Sequence, residues 1–259
     1  MRETERPVAL FDSGLGGISV LRHIRRALPH ENYIYYGDSA NAPYGTKSQA
    51  EILRLASAVM EKVLAMNAKA VVIACNTATA MAVDALRAQY PDMPIIGVEP
   101  AIKPAAEAHP GGTVLVMATP MCCRGQRFRD LMDRFSDRAE IVPVPCGGLM
   151  EFVERGELEG TALREYLREK LSPWRGRPVD AVVLGCTHYP FLRRAIAGVL
   201  GGKTEIFDGN AGTTAQLRRR LKERGLLNLS REPGTVTFYN SLEDPAILDL
   251  SRALLGLPE

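Results

Sequence analysis

No stretch of this 259-residue sequence is apolar for long enough to cross a bilayer. Its N-terminal MRETERPVALF also lacks the apolar run of a secretory signal, so a cytoplasmic protein is expected. Charge of one sign is missing too. With 32 Lys and Arg against 30 Asp and Glu, the net charge of +2 gives no electrostatic footprint for nucleic acid. The densest basic run, QLRRRLKERG at 216–225, reads as the solvated face of a helix. Cysteine is sparse, and a count of five is odd, so no disulfide framework is expected in a reducing compartment. There is no CxxC, and the adjacent Cys122 and Cys123 cannot both ligate one metal in the usual geometry, which argues against a zinc site.

What is present is a regular alternation of strand-like and helix-like segments. VALFD (8–12) is a buried strand, and ISVLRHIRRAL places Ile18, Leu21, Ile24 and Leu28 at helical spacing before Pro29. YIYYGD (33–38) reads as the next strand. The segment 47–66 puts Ile52, Leu55, Val59, Val63 and Met66 on one helix face. VVIAC, the helix TATAMAVDALRAQY and the strand PIIGV (94–98) close a first series. A second opens at TVLVMAT (113–119) and continues through a helix with Phe128, Leu131, Met132 and Phe135, the strand EIVPV, helices between 148 and 171, and the strand DAVVLGC. A helix over 188–199, TEIFD, the basic helix, TVTFYN and DPAILDLSRALLG follow. Strands that are continuously apolar instead of alternating predict an α/β fold with parallel sheets covered by helices. The proline-bearing VEPAIKPAAEAHPGG (98–112) is the expected boundary between the two series.

Two segments match across that boundary. VVIACNTATA (71–80) and VVLGCTHYP (182–190) each stop an aliphatic run at a cysteine, Cys75 and Cys186, followed by hydroxyl and amide residues. A single cysteine at a strand end is most often a small buried hydrophobe. Two in equivalent settings point to chemistry, because both are expected at carboxyl strand ends where the next helix begins. Helix N-termini favour thiolate over thiol there. Asn76 and Thr187 read either as ligand donors or as helix caps. His188 stands two residues from a thiol, close enough in sequence to exchange a proton with it or orient it.

FDSGLGG (11–17) raises a nucleotide-binding alternative, since glycine-rich turns before helices cradle phosphate. It lacks GK[ST], its spacing is not GxGxxG, and the Asp12 carboxylate would repel phosphate. Asp12 suits a protonated amine or a neighbouring thiol better. A phosphatase loop needs C-x5-R, whereas Cys186 to Arg193 is C-x6-R.

Taken in order, FDSGLGG, GDSANAPYG (37–45), ACNTATA and GCTHYP resemble the cofactor-independent glutamate racemases over nearly the whole chain. The resemblance implies two pseudo-symmetric α/β domains with the active site between them: a lobe of residues 1–98 plus 208–259, and a lobe of residues 99–207. It implies that Cys75 takes the Cα proton of D-glutamate and Cys186 that of L-glutamate, each serving as acid when the other is base. Asp12 would assist Cys75, while His188 and Glu154 would assist Cys186. Ser13, Tyr44, Gly45, Asn76, Thr77, Thr119 and Thr187 would bind the substrate with Asp12 and His188. No cofactor and no metal are implied; the product would supply D-glutamate for peptidoglycan, and a homodimer is possible. Racemisation of aspartate, or amino-acid binding without turnover, are the alternatives. Cys122 stands where many members carry threonine, so it is a candidate for the binding wall, while Cys123 and Cys146 read as structural.

Overall fold

The structure, a computed structural model, describes residues 2–201 and 203–257. It divides into two compact units, 2–98 with 210–257, and 99–201 with 203–209.

The first unit opens with β1 (Val8–Asp12), α1 (Ile18–Ala27), β2 (Tyr33–Gly37), α2 (Gln49–Ala65), β3 (Ala70–Ile73), α3 (Asn76–Gln89) and β4 (Ile95–Gly97). Every residue of β1, β2 and β3 is buried, which is why these strands read as unbroken apolar runs. Full burial of each Val, Leu or Phe contributes roughly 1.5–3 kcal/mol. α2 starts where Ser48 accepts the Glu51 N–H, and turns Ile52, Leu55, Val59 and Val63 into the core.

The second unit comprises α4 (Ile102–Ala108), β5 (Thr113–Ala118), α5 (Pro120–Arg124), α6 (Gln126–Asp133), β6 (Glu140–Pro145), α7 (Leu149–Glu154), α8 (Thr161–Lys170), β7 (Ala181–Leu184), α9 (Arg193–Leu200) and β8 (Glu205–Asp208). The chain then returns to the first unit with α10 (Asn210–Glu223), β9 (Val236–Asn240) and α11 (Pro245–Gly256). Asp208 stays with the second unit because it completes β8, paired with Leu184.

The first sheet has the order β4-β3-β1-β2-β9 and the second β6-β5-β7-β8. All seven pairings are parallel. Parallel order puts all the carboxyl strand ends of a sheet on one edge, and the loops that lead from strand to helix gather there. Two local expectations differ from the structure. The proline-bearing boundary contains α4, and Cys186 does not open a helix directly. A short helical turn at Tyr189–Leu192 comes first and α9 starts at Arg193, since Pro190 has no N–H to continue a regular ladder. No helix among the described residues is long and apolar enough to cross a membrane.

Candidate functional site

Cys75 is the second residue past the end of β3, and Cys186 the second past the end of β7. Both are nearly buried, at 5% and 7% exposure. β3 runs beside β1, which ends in Asp12; β7 runs beside β5, which Thr119 follows. Each thiol therefore shares its carboxyl sheet edge with a second polar side chain.

In the first unit Cys75 is the N-cap of α3, and its Sγ accepts the Ala78 N–H at 3.4 Å. The sulfur thus sits at the positive end of the helix dipole, where negative charge is favoured. Its S–H donates to Ser13 Oγ at 3.7 Å, and the Ser13 hydroxyl donates to Asp12 Oδ1 at 3.3 Å, giving a chain from thiol to carboxylate. Asp12 is fully buried and gripped by its own loop. Oδ1 accepts the Ser13 N–H at 2.6 Å, and Oδ2 accepts the Gly17 N–H at 2.5 Å. A Cβ on Gly17 would stand 2.8 Å from Ala74 Cβ and 3.0 Å from Asp12 Cβ, so only glycine lets the loop close. The glycine-rich turn has its amides directed at an internal carboxylate, the role a phosphate would have in a nucleotide site.

Asn76 and Thr77 are the first two residues of α3, both buried. The Asn76 Oδ1 is enclosed without a hydrogen-bond partner among the described residues. An orphaned buried acceptor costs on the order of 1–3 kcal/mol, a cost that an N–H of a ligand would remove. Tyr44 is buried, and its hydroxyl donates to Asp38 Oδ2 at 2.7 Å. Burial and that bond hold the phenol well above its ordinary range, so Tyr44 is a neutral group with its proton committed. Asp38 also accepts from Asn41 Nδ2 at 3.1 Å, tying together the loop that carries Gly45. The carboxylate of Asp38 is a positioning group that sequence reasoning missed; its place in GDSANAPYG, beside an aromatic hydroxyl, was the available signal.

In the second unit the His188 Nδ1 lies 3.6 Å from Cys186 Sγ, and its Nε2 lies 2.6 Å from Glu154 Oε1. The imidazole is 1% exposed. Burial disfavours its cation, but hydrogen bonds and charge from Cys186 and Glu154 outweigh burial and hold it well above the ordinary imidazole range. The ring lies between sulfur and carboxylate, with Nδ1 facing Cys186 and Nε2 facing Glu154. Glu154, half-buried at the end of α7, is brought there by a scaffold the sequence did not reveal. The Tyr189 hydroxyl donates to the Cys146 carbonyl at 2.9 Å, and the Tyr166 hydroxyl to the Gly147 carbonyl at 2.7 Å. Both fix the turn that leads into α7. Gly185 completes the arrangement, because a Cβ there would come within 2.9 Å of the Met117 carbonyl oxygen.

Thr119 caps α5, accepting the Cys122 N–H at 3.2 Å, and Thr187 is buried beside Cys186. Cys122 is 3% exposed and belongs to the apolar cluster with Val116, Ala118 and Phe128. Burial pushes the thiols of Cys123 and Cys146 up, to about 11 and about 12, so both stay protonated at neutral pH.

Residues 15–217 match the Asp/Glu/Hydantoin racemase family model. The glutamate racemase of Clostridium perfringens strain ATCC 13124 is 49% identical over 251 residues, spanning 97% of this chain and 96% of that protein. Among solved structures, Escherichia coli glutamate racemase in complex with L-glutamate and the activator UDP-MurNAc-ala gives a TM-score of 0.86 at 32% identity, over 96% of this chain and 95% of that one. Glutamate racemase from Francisella tularensis in complex with D-glutamate gives 0.85 at 30% identity, over 98% and 95%.

Proposed function

Because this chain belongs to the Asp/Glu/Hydantoin racemase family, and to the glutamate racemases within it, we propose that it interconverts L- and D-glutamate with two thiols acting on one Cα. The observation that carries this reading is the pair of cysteines in matching positions past parallel strands, Cys75 linked through the Ser13 hydroxyl to Asp12 and Cys186 facing His188 directly. An isomerase that inverts a carbon must remove a proton from one face and deliver another to the opposite face. Two thiols do this without turning the intermediate over.

In the direction from L-glutamate, the Cys186 thiolate takes the Cα proton. The C–H electron pair passes into the substrate carboxylate, and the Cys75 thiol returns a proton to the other face. From D-glutamate the roles exchange. His188, held cationic by Glu154, stabilises the Cys186 thiolate, and the Ser13–Asp12 chain orients the thiol of Cys75. Asn76 Oδ1 accepts from the substrate ammonium group, while Thr77, Thr119, Thr187, Gly45 and neighbouring amides hold the carboxylates. Tyr44 walls the site with its phenol turned to Asp38. The product would feed peptidoglycan synthesis in the cytoplasm.

Incorporation of solvent deuterium at Cα tests this reading, with both enantiomers of glutamate and of aspartate as substrates. Glutamate is expected to exchange and invert, and Cys75→Ala and Cys186→Ala are each expected to abolish inversion. Full racemase activity in either variant would defeat the two-thiol mechanism.

A further inference from the structure

A cavity of about 680 Å³ opens in the second unit at the sheet edge opposite Cys186. It is lined by Val179 and Asp180, just before β7, and by Lys203 and Thr204, just before β8. Cys186 lies past the carboxyl end of β7, so the cavity and the candidate catalytic thiol are separated by the length of the strand. The volume is that of a small-molecule site.

Its charge is mostly positive, with Asp180 the one carboxylate among its lining residues. Arg168, Arg175, Arg177 and Lys203 line it, and none of their side chains has an ion-pair or hydrogen-bond partner among the described residues. Asp180 keeps its negative charge while its Oδ2 accepts the Thr113 N–H at 2.8 Å, and Glu205, outside the lining, pairs with His109 at 3.0 Å. Trp174, the only tryptophan in the chain, is half-buried in the same wall. A second cavity of about 370 Å³ adjoins through Arg168, Gly198 and Val199 and adds Arg164 and Arg194, with Glu159 as its carboxylate.

We propose that this cavity binds a nucleotide, phosphates against the arginines and Lys203, and the base against Trp174. Unpaired cations gathered around a concave space repel one another, and a polyanion relieves that repulsion. Guanidinium forks match phosphate oxygens in pairs. An inorganic anion would use the charges but leave the indole and most of the volume without a function. A planar base uses both, because an indole offers a broad stacking face.

Trp174 also supplies the assay, since all tryptophan fluorescence of the full chain comes from this wall. Titration with ATP, followed by that fluorescence and by calorimetry, is expected to show saturable binding. Binding should weaken as salt rises and should be unaffected by saturating glutamate, which separates this site from the proposed active site. Arg175→Ala/Arg177→Ala replaces two exposed side chains and is expected to weaken ATP at least about tenfold, near 1.4 kcal/mol. Adenosine and pyrophosphate, each offering half of the contacts, should each bind more weakly than ATP. The proposal is overturned by the lack of saturable ATP binding in calorimetry, by equal ATP affinity in the double variant, or by pyrophosphate binding as tightly as ATP.

Discussion

Replacing Glu154 by Gln keeps the shape of the side chain and removes one charge from the Cys186–His188–Glu154 chain. The carboxylate stands 2.6 Å from His188 Nε2, with side-chain exposures of 21% and 2% for Glu154 and His188. A hydrogen bond between charged groups in such a setting contributes roughly 1.5–3 kcal/mol. If that stabilisation is realised in the transition state, kcat/KM falls about 10- to 100-fold. The fall must be the same from either enantiomer, because L- and D-glutamate have equal free energy in water and the ratio of the two kcat/KM values is fixed at one. The asymmetry lies in isotope effects. With proton transfer at Cys186 slowed, Cα-deuterated L-glutamate should show a larger isotope effect than in the parent enzyme, and Cα-deuterated D-glutamate a smaller one. Polarimetry in both directions, with labelled and unlabelled substrate, measures all of this. An activity within about twofold of the parent, or isotope effects that move together, would refute the role given to Glu154. The same substitution has a pH signature. His188 has a folded pKa raised above its unfolded value near 6.5, so its stabilising contribution is full below that value and is lost as pH rises through the folded pKa. Denaturant titrations should show the stability gap between parent and Glu154→Gln widest at about pH 6 and closing at alkaline pH.

Gly185→Ala forces a Cβ to within 2.9 Å of the Met117 carbonyl and 3.2 Å of Ala118 Cβ. It should cost about 1–3 kcal/mol in denaturant unfolding and lower activity by displacing Cys186; a variant as stable and active as the parent would show that the strand end tolerates the shift. Tyr189→Phe removes the bond to the Cys146 carbonyl at 2.9 Å and should destabilise by about 1–2 kcal/mol, with a matching loss of activity as α7 loses its anchor. Unchanged kinetics would mean that Glu154 is positioned by other contacts. Lys69 is fully buried against Glu31 at 2.5 Å. Lys69→Met should cost about 3–5 kcal/mol by stranding the carboxylate, whereas Lys69→Met/Glu31→Gln should recover part of that in thermal unfolding. A double variant worse than the single one would contradict the pairing.

The sequence by itself determined the elements and their class. Unbroken aliphatic runs such as VALFD and VVIAC suit burial on both faces, so parallel sheets between helices followed from the order of apolar and helical segments. It also marked Cys75 and Cys186, because repeated local patterns remain visible in one dimension. Tertiary structure alone decided what each marked residue touches. Asp12 is bound by its own glycine-rich loop, Cys122 lies in an apolar cluster, Tyr44 spends its hydroxyl on Asp38, and Glu154 reaches His188 because two tyrosines far apart in sequence hold the turn before α7. A hydrogen bond depends on distances of a few tenths of an ångström between side chains brought together by folding, and residue order does not carry that information.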